Sequence, residues 1–334
     1  MTPTELPGGS PSDHPGSDHP GVVPCLFVSD LHGQPRRYDR LIELVGDEAP
    51  SAVFLGGDLL PGPLLAGREG QAWTMLQTTR TRLAALKRDL GHRYPSIFVI
   101  PGNDDGGLLE EALLEGEREG IWRYAHGRIS DLDGWSRIEH CDRPSVSPAA
   151  QRRGEPQDCA RLYTVLGYAC VPPTPFLLKD WERYDVSRYL GPVDVSPEDG
   201  IHLIPFDPEA VRYGTMENDL ERLAVQVPDF RRMVCLFHAP PSDCDLDRAA
   251  LDGRVVDHVP LDLHVGSLAI RRFIESRQPL VSLHGHIHEA PRLTGAWCVK
   301  IGRTLAFTAA HDGPELAVIR FDLADPQRAE RALV

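Results

Sequence analysis

The segment His284-Gly285-His286-Ile287-His288 has the residue types and spacing in this sequence that most directly suggest chemistry. It follows the apolar run 280–283, which predicts a short buried strand that ends at Gly285. Residues two apart in an extended chain project to the same side, so His286 and His288 could present two imidazoles together. Imidazole is a ligand of Zn, Fe, Mn, Cu and Ni. An isolated histidine pair more often belongs to a turn or a cap, so a metal site requires ligands from other strand ends.

Four further clusters of polar residues follow apolar runs elsewhere in the chain. They are Asp30 and His32 after 22–28, Asp58 after 52–55, Asn103, Asp104 and Asp105 after 96–100, and His238 after 233–237. Each of these apolar runs predicts a strand. Helices predicted over 35–45 and 71–90 alternate with the first three strands, an order typical of a parallel sheet flanked by helices. Ligands of such sheets bind beyond the carboxyl ends of the strands. We therefore expect the five clusters to converge.

The remaining elements are predicted from periodicity. In the helix over 71–90, Trp73 and Leu76, Leu83, Leu86 and Leu90 are expected to form the buried stripe. Further helices are predicted over 216–227, capped by Thr215, and over 267–276. Strands over 296–300, 304–308 and 316–321 lie at hairpin spacing, which predicts an antiparallel portion in the second half.

Two segments differ in composition from the rest. Residues 1–21 contain almost no large apolar residue and are predicted to be a disordered tail. Residues 22–334 then form a single domain, with a partly irregular insertion around 108–202 that includes a polar loop over 143–158. Within this insertion Lys179, Trp181 and Arg183 are possible substrate contacts, although packing or solvated roles are favoured for all three.

The overall composition indicates a globular chain with an excess of acidic residues. The 334 residues include 49 acidic and 35 basic side chains, and the formal net charge is −14. Non-specific binding to nucleic acid requires a basic face, so we expect none. No apolar run approaches the roughly 20 residues that span a bilayer, and no secretory signal is evident at the N-terminus. We expect a cytoplasmic protein without membrane segments, whose seven scattered cysteines are buried thiols rather than disulfides.

The five clusters together supply carboxylate, amide and imidazole ligands without a thiolate. This set suits Mn, Fe or Zn better than Ca, and it differs from the ligands of structural zinc sites. Seven ligands are too many for one ion, but with one bridging carboxylate they give about four to each of two ions. A pair of divalent cations clamps a phosphoryl group and activates water for in-line attack. The residues alone therefore favour phosphate-ester hydrolysis.

The order D-x-H, G-D, G-N-x-D, H, G-H-x-H over residues 25–291 resembles that of the calcineurin-like metallophosphoesterase superfamily. The resemblance implies an α/β fold, a four-layer αββα sandwich of two mixed β-sheets flanked by helices. Within the superfamily the chain looks similar to bacterial phosphoesterases related to the cyclic-nucleotide phosphodiesterases. The segments that carry this narrower resemblance are 167–168, 172–176 and 179–182.

The resemblance also implies a role for each ligand. One metal would be held by Asp30, His32, Asp58 and His288, and the other by Asp58, Asn103, His238 and His286. Asp58 would bridge the two cations, of which manganese is favoured, and a bridging hydroxide would attack phosphorus. His238 and Asp104 lie at catalytic positions of the family.

Asp104 departs from the family pattern, because many members carry histidine after the asparagine. A carboxylate that faces phosphate is unfavourable unless it is protonated, linked to metal or turned away. Asp104 is therefore expected to orient a metal ligand. General-acid help would then be weaker or come from His202, His284 or His311, or the substrates would have good leaving groups.

The expected function is hydrolysis of a small phosphorylated substrate, with a phosphodiester favoured over a monoester. Two alternatives stay open at this point. One is a nuclease of the same superfamily, which the acidic net charge disfavours. The other is a non-catalytic protein-binding scaffold, which the complete set of ligand positions disfavours.

Overall fold

The strands described in the computed structural model form two six-stranded β-sheets and one two-stranded hairpin. The structure describes residues 22–62, 69–132, 163–190, 195–227, 229–253, 255–256, 259–260 and 263–334. The tail predicted over 1–21 and the polar loop predicted over 143–158 lie outside these residues.

The first sheet carries the N-terminal strands of the predicted parallel portion. Its strands are β1 (Pro24–Val28), β2 (Ala52–Gly56), β3 (Ser96–Ile100), β4 (Arg123–Tyr124), β13 (Ala317–Asp322) and β14 (Asp325–Leu333). Strands β1 to β4 run parallel in chain order, while β13 pairs antiparallel with β1 and β14 antiparallel with β13. The carboxyl ends of β1, β2 and β3 therefore lie along the same edge.

The second sheet carries the histidine loops. Its strands are β5 (Arg128–Asp131), β6 (Thr164–Tyr168), β7 (Met233–Phe237), β10 (Val281–His284), β11 (Cys298–Ile301) and β12 (Thr304–Thr308). Strands β6, β7, β10 and β12 are parallel neighbours, and β5 and β11 are antiparallel edge strands. The small hairpin joins β8 (Val255–Val256) and β9 (Val259–Pro260).

Seven α-helices are described. They are α1 (Pro35–Glu48), α2 (Glu69–Leu90), α3 (Glu110–Arg118), α4 (Pro208–Tyr213), α5 (Met216–Ala224), α6 (Leu268–Arg277) and α7 (Ala290–Thr294). Thr215 caps α5 as predicted, since its side chain accepts a hydrogen bond from the Asn218 amide.

Three buried clusters define the layers. Helices α1, α2 and α3 cover the outer face of the first sheet, and α5 and α6 cover the outer face of the second. The middle cluster lies between the sheets, where Phe54 and Phe98 of the first face Leu236 and Leu283 of the second. The structure thus confirms the predicted α/β sandwich of two mixed sheets flanked by helices.

Some local predictions were wrong. Trp73 is 42% exposed. The buried face of α2 contains Ala72, Leu76 and Leu83, so the residue before the tryptophan is buried in its place. Strand β14 was not predicted, since its sequence is largely charged and its side chains are mostly half-buried or exposed at the sheet edge.

The described cysteines are free thiols, in agreement with the predicted absence of disulfides among them. They are Cys25, Cys170, Cys235, Cys244 and Cys298, and the first three are buried. Cys141 and Cys159 lie outside the described residues. Within those residues, no helix has the length and apolar character needed to cross a bilayer.

Phe54 provides a test of the packing between the sheets. It is fully buried, and its ring stacks at 5.5 Å on Phe98 and at 6.1 Å on Phe321. We expect Phe54→Ala to lower the free energy of unfolding by about 3–5 kcal/mol, because it opens a cavity in the central layer. Trp73→Ala is the control and should cost less than about 1 kcal/mol. Urea denaturation followed by circular dichroism measures both, and equal losses would contradict this assignment of the core.

Candidate metal centre

The five predicted loops converge where the carboxyl ends of β1, β2, β3, β7 and β10 meet. Two groups of side chains have ligand atoms within 4.8 Å of one another. The first group is Asp30, His32, Asp58 and His288, and the second is Asp58, His238 and His286. Asn103 adjoins the second group, since its Oδ1 lies 3.1 Å from Nε2 of His238. All seven residues predicted as ligands are thus brought together.

Asp58 is the residue that the two groups share. Its Oδ2 lies 3.9 Å from Nε2 of His32 and 3.3 Å from Nε2 of His238. Its Oδ1 accepts a hydrogen bond of 2.8 Å from the backbone N–H of Asp104. One oxygen is therefore held by the backbone while the other faces both groups.

The first group places two imidazoles against a buried carboxylate. Nε2 of His288 lies 3.4 Å from Oδ1 of Asp30 and 3.0 Å from Nε2 of His32. Burial lowers the pKa of His288, but the charge and hydrogen bond of Asp30 outweigh burial and raise it to about 9. Burial also acts on Asp30, where it raises the pKa, yet the contact with His288 leaves the pKa of this carboxyl far below its usual range.

The second group shows how the ligands fit a cation. Nδ1 of His238 lies 2.8 Å from the carbonyl oxygen of Gly56, which can only accept, so Nδ1 carries the hydrogen. The lone pair on Nε2 then faces Asp58 Oδ2 and Asn103 Oδ1, which are acceptors as well. Only a proton or a cation satisfies three converging acceptors. Imidazole, carboxylate and amide ligands without thiolate are a suitable donor set for Mn, Fe or Zn.

The pKa values in the second group reflect the same crowding. Burial lowers the pKa of His238, but the charge of Asp58 and its hydrogen bond outweigh burial and raise it to about 9. For His286, burial and the positive charge of His238 lower the pKa to about 3. His286 therefore carries a neutral imidazole, as ligation requires.

Four of the seven ligand residues adopt left-handed backbone conformations. The φ angles are 56° at Asp30, 46° at His32, 50° at Asp58 and 73° at His286. Few residues other than glycine adopt this region, although Asp, Asn and His enter it more readily than most. These residues lie in the loops that follow β1, β2 and β10, where their side chains reach the two ligand groups.

Glycines beside these residues allow the loops to approach. A Cβ at Gly57, where φ is 96°, would lie 2.6 Å from Nδ1 of His238, and a Cβ at Gly102 would lie 2.7 Å from Cε1 of the same ring. The Gly-Asp and Gly-Asn pairs of the sequence therefore have a steric cause.

Two residues that hold the ligand loops were not predicted. Asp105 accepts backbone hydrogen bonds from Leu59 at 3.0 Å, Leu60 at 2.8 Å and Gly102 at 2.9 Å, so it ties the Asp58 loop to the Asn103 loop. Burial and the charge of Asp58 raise the pKa of Asp105 to about 7.

Arg37 on α1 is buried and donates hydrogen bonds to the backbone carbonyl of Asp30 and, at 2.5 Å, to that of Gly313. The acidic pair that follows Asn103 was a signal for Asp105, whereas Arg37 had no comparable signal.

The three possible substrate contacts in the insertion make hydrogen bonds or ion pairs within the protein. Lys179 is buried and its Nζ lies 2.8 Å from Glu182. Trp181 donates from its indole N–H to the carbonyl of Asp105 at 2.6 Å, and Arg183 forms an ion pair with Asp219 at 2.6 Å. The Trp181 contact connects the insertion to the Asn103 loop, whereas the Arg183 ion pair connects it to α5.

The three histidines considered as general acids lie in different surroundings. His284 is fully buried, with Nδ1 2.9 Å from the carbonyl of Ala239 and Nε2 2.9 Å from the Ser282 hydroxyl, so it has no path to a substrate. His202 lines a separate cavity of about 200 Å³ and stacks on Phe206. His311 lies 3.0 Å from Glu315.

Comparisons with known proteins bear on the whole chain. A family model described as calcineurin-like phosphoesterase matches residues 23–290 of the 334. One solved structure, 16% identical, has a TM-score of 0.50 and covers 94% of this chain and 98% of its own, which shows a shared fold. The protein TT1561 of Thermus thermophilus is 16% identical with a TM-score of 0.49, covering 93% of this chain and 99% of its own. A dimetal phosphatase from Danio rerio is 13% identical with a TM-score of 0.47, and the match covers 94% of this chain and 99% of the phosphatase chain. No curated protein sequence matches the chain.

The raised pKa values of His238 and His288 lead to a prediction about metal binding. Both pKa values are about 9 without metal, so both rings are protonated at pH 7 and must lose the proton to ligate a cation. We expect Mn²⁺ binding at pH 7 to release about two protons, and the affinity to rise between pH 7 and pH 9. Calorimetry in two buffers of different ionisation enthalpy measures the release. Binding without proton release would contradict the protonation assigned to this site.

Proposed function

The chain belongs to the calcineurin-like phosphoesterase family of metal-dependent phosphoric ester hydrolases, and we propose that it hydrolyses phosphodiesters at a site that holds two divalent cations. The position of Asp58 carries this proposal. A carboxylate oxygen that faces imidazole nitrogens of two separate ligand groups is suited to bridging a pair of cations.

The ligand roles follow from the two groups. Asp30, His32, Asp58 and His288 would hold one cation. Asp58, Asn103, His238 and His286 would hold the other. Manganese is favoured over iron and zinc, and when bound the pair would supply charge neutralisation at the phosphoryl group and an activated water.

The protein itself orients these ligands before a cation binds. The Gly56 carbonyl keeps a hydrogen of His238 on Nδ1, so Nε2 is the nitrogen that would ligate a cation once its proton is released. The backbone N–H of His286 donates to Asp30 Oδ1 at 3.0 Å, which connects the β10 loop to the β1 loop. Fixed backbone donors and short loops reduce the rearrangement that binding requires.

Exposure of the ligand side chains indicates where a substrate would enter. Side chains of His32 and His288 are 21% and 32% exposed, whereas those of Asp58 and His238 are 3% and 0% exposed. Each group therefore combines buried ligands with partly exposed ones, which are His32 and His288 in the first group and His286 in the second. A small phosphorylated substrate would approach over His32 and His288, beside Asp104, whose side chain is 36% exposed.

The residue at position 104 supports a phosphodiester over a monoester. Many family members place histidine there, and an imidazolium could neutralise the second negative charge of a monoester dianion. This chain places a carboxyl group instead, so a monoanionic diester meets less unfavourable charge. A unit charge about 4 Å away contributes roughly 1–4 kcal/mol, depending on hydration.

Hydrolysis of bis(p-nitrophenyl) phosphate with Mn²⁺ tests the proposed function. Asp58→Ala and His238→Ala should each lower kcat/KM at least about 100-fold, since even outer-shell partners of metal ligands have effects of this size. The exposed residues Asp89 and His92 provide matched controls, and Asp89→Ala and His92→Ala should retain the activity. A wild-type protein that binds no divalent cation and hydrolyses no phosphate ester would instead indicate a binding scaffold.

The preference for diesters has its own test. We expect kcat/KM for bis(p-nitrophenyl) phosphate to exceed that for p-nitrophenyl phosphate by at least about tenfold at pH 8, a difference of about 1.4 kcal/mol. Both reactions release the same chromophore, so leaving-group chemistry is matched. Equal values, or a higher value for the monoester, would refute the preference.

A further inference from the structure

The side chain of Asp104 contacts one ligand residue from each half of the metal centre. Its Oδ1 accepts a hydrogen bond of 3.1 Å from the Asn103 side-chain amide, Nδ2. Its Oδ2 lies 3.6 Å from Nδ1 of His32. Asn103 adjoins the second ligand group and His32 belongs to the first.

The contact with Asn103 determines which way the amide faces. A carboxylate oxygen accepts and an amide nitrogen donates, so the NH₂ end lies towards Asp104. The amide oxygen is thereby directed to the opposite side, where it lies 3.1 Å from Nε2 of His238. An amide turned the other way would present hydrogens to the second group and could not ligate a cation there.

The contact with His32 favours one tautomer of the ring. At 3.6 Å it is longer than a hydrogen bond, so it acts through charge at this separation. A negative carboxylate beside Nδ1 favours a hydrogen on that atom and leaves the lone pair on Nε2. Nε2 faces the ligands of the first group, 3.0 Å from Nε2 of His288.

Asp104 is itself held in place beside the ligands it contacts. Its backbone N–H donates to Asp58 Oδ1, and the preceding residue is Asn103. A substitution of the side chain leaves this backbone hydrogen bond available. The effect of the carboxylate can therefore be measured separately from the fold of the loop.

We propose that Asp104 is a positioning residue whose single carboxylate orients one ligand of each cation, Asn103 and His32. The proposal rests on the two-cation function proposed above. It gives a role to the residue that departs from the family pattern, since a neutral histidine at this position lacks two carboxylate oxygens directed at the two ligands.

Cobalt titration measures this role without any substrate. Co²⁺ binding is followed by calorimetry and by its visible absorption bands, which report coordination. Asp104→Ala should lower the affinity for each of the two cobalt ions by about 10–100-fold, which is the usual effect of removing a residue that hydrogen-bonds to a metal ligand. Asp89→Asn, which removes an exposed carboxylate on α2, should leave both affinities and the absorption bands unchanged.

Two conservative variants separate positioning from a general charge effect. Asp104→Asn keeps the shape of the side chain but only one acceptor oxygen. The affinity for one of the two cobalt ions should therefore fall more than the affinity for the other. Asp104→Glu keeps the charge but moves the carboxylate by one methylene. The affinities for both cobalt ions should therefore fall, and the absorption bands should change. An Asp104→Glu variant that binds both equivalents of cobalt as tightly as the wild type would show that the position of the carboxylate does not matter, and the proposal would be wrong.

The outcomes also distinguish this proposal from the proposed function. A wild type that binds two equivalents, together with an Asp104→Ala variant that binds them equally tightly, overturns the positioning role alone. A wild type that binds no cobalt overturns both.

Discussion

Seven side chains that mostly offer lone pairs converge where the edges of the two sheets meet, and without cations this convergence is electrostatically unfavourable. Buried carboxylates and neutral imidazoles repel or fail to satisfy one another unless protons or metal ions lie between them. Asp58 and Asp30 raise the pKa of His238 and of His288 to about 9, which favours protons in place of cations when the site is metal-free. Much of the surrounding structure keeps these groups together despite their unfavourable electrostatic interaction.

The backbone supplies most of that restraint. Left-handed turns at four ligand residues direct the side chains, and glycines allow neighbouring loops to approach closely. Asp105 and Arg37 then hold the loops through hydrogen bonds to main-chain atoms, so their effect does not depend on a bound ion. Strained backbone of this kind is found at functional sites because packing elsewhere compensates for it.

The ligand loops could be predicted because each ligand follows an apolar strand at short, regular spacing. Parallel strands of one sheet place such residues at one edge, so the convergence of Asp58 with Asp30 and Asn103 required no knowledge of tertiary contacts. The contact of Asp58 with His238 depends in addition on how the two sheets pack together. Arg37 could not be predicted in the same way, since its role depends on contacts with Asp30 and with Gly313 near the other end of the chain. Trp73 was misplaced because helical periodicity gives the spacing of a stripe but not its absolute phase.

The ligands come from both sheets of the sandwich, which gives the centre a mechanical consequence. Asp30, His32, Asp58 and Asn103 follow strands of the first sheet, and His238, His286 and His288 follow strands of the second. A filled site would fasten the two sheets along one rim by coordinate bonds, in addition to the phenylalanines packed between the sheets and the hydrogen bond from the Tyr163 hydroxyl to the Leu323 carbonyl. The rim beside the reacting groups would then be the part of the sandwich where separation of the sheets is most strongly opposed.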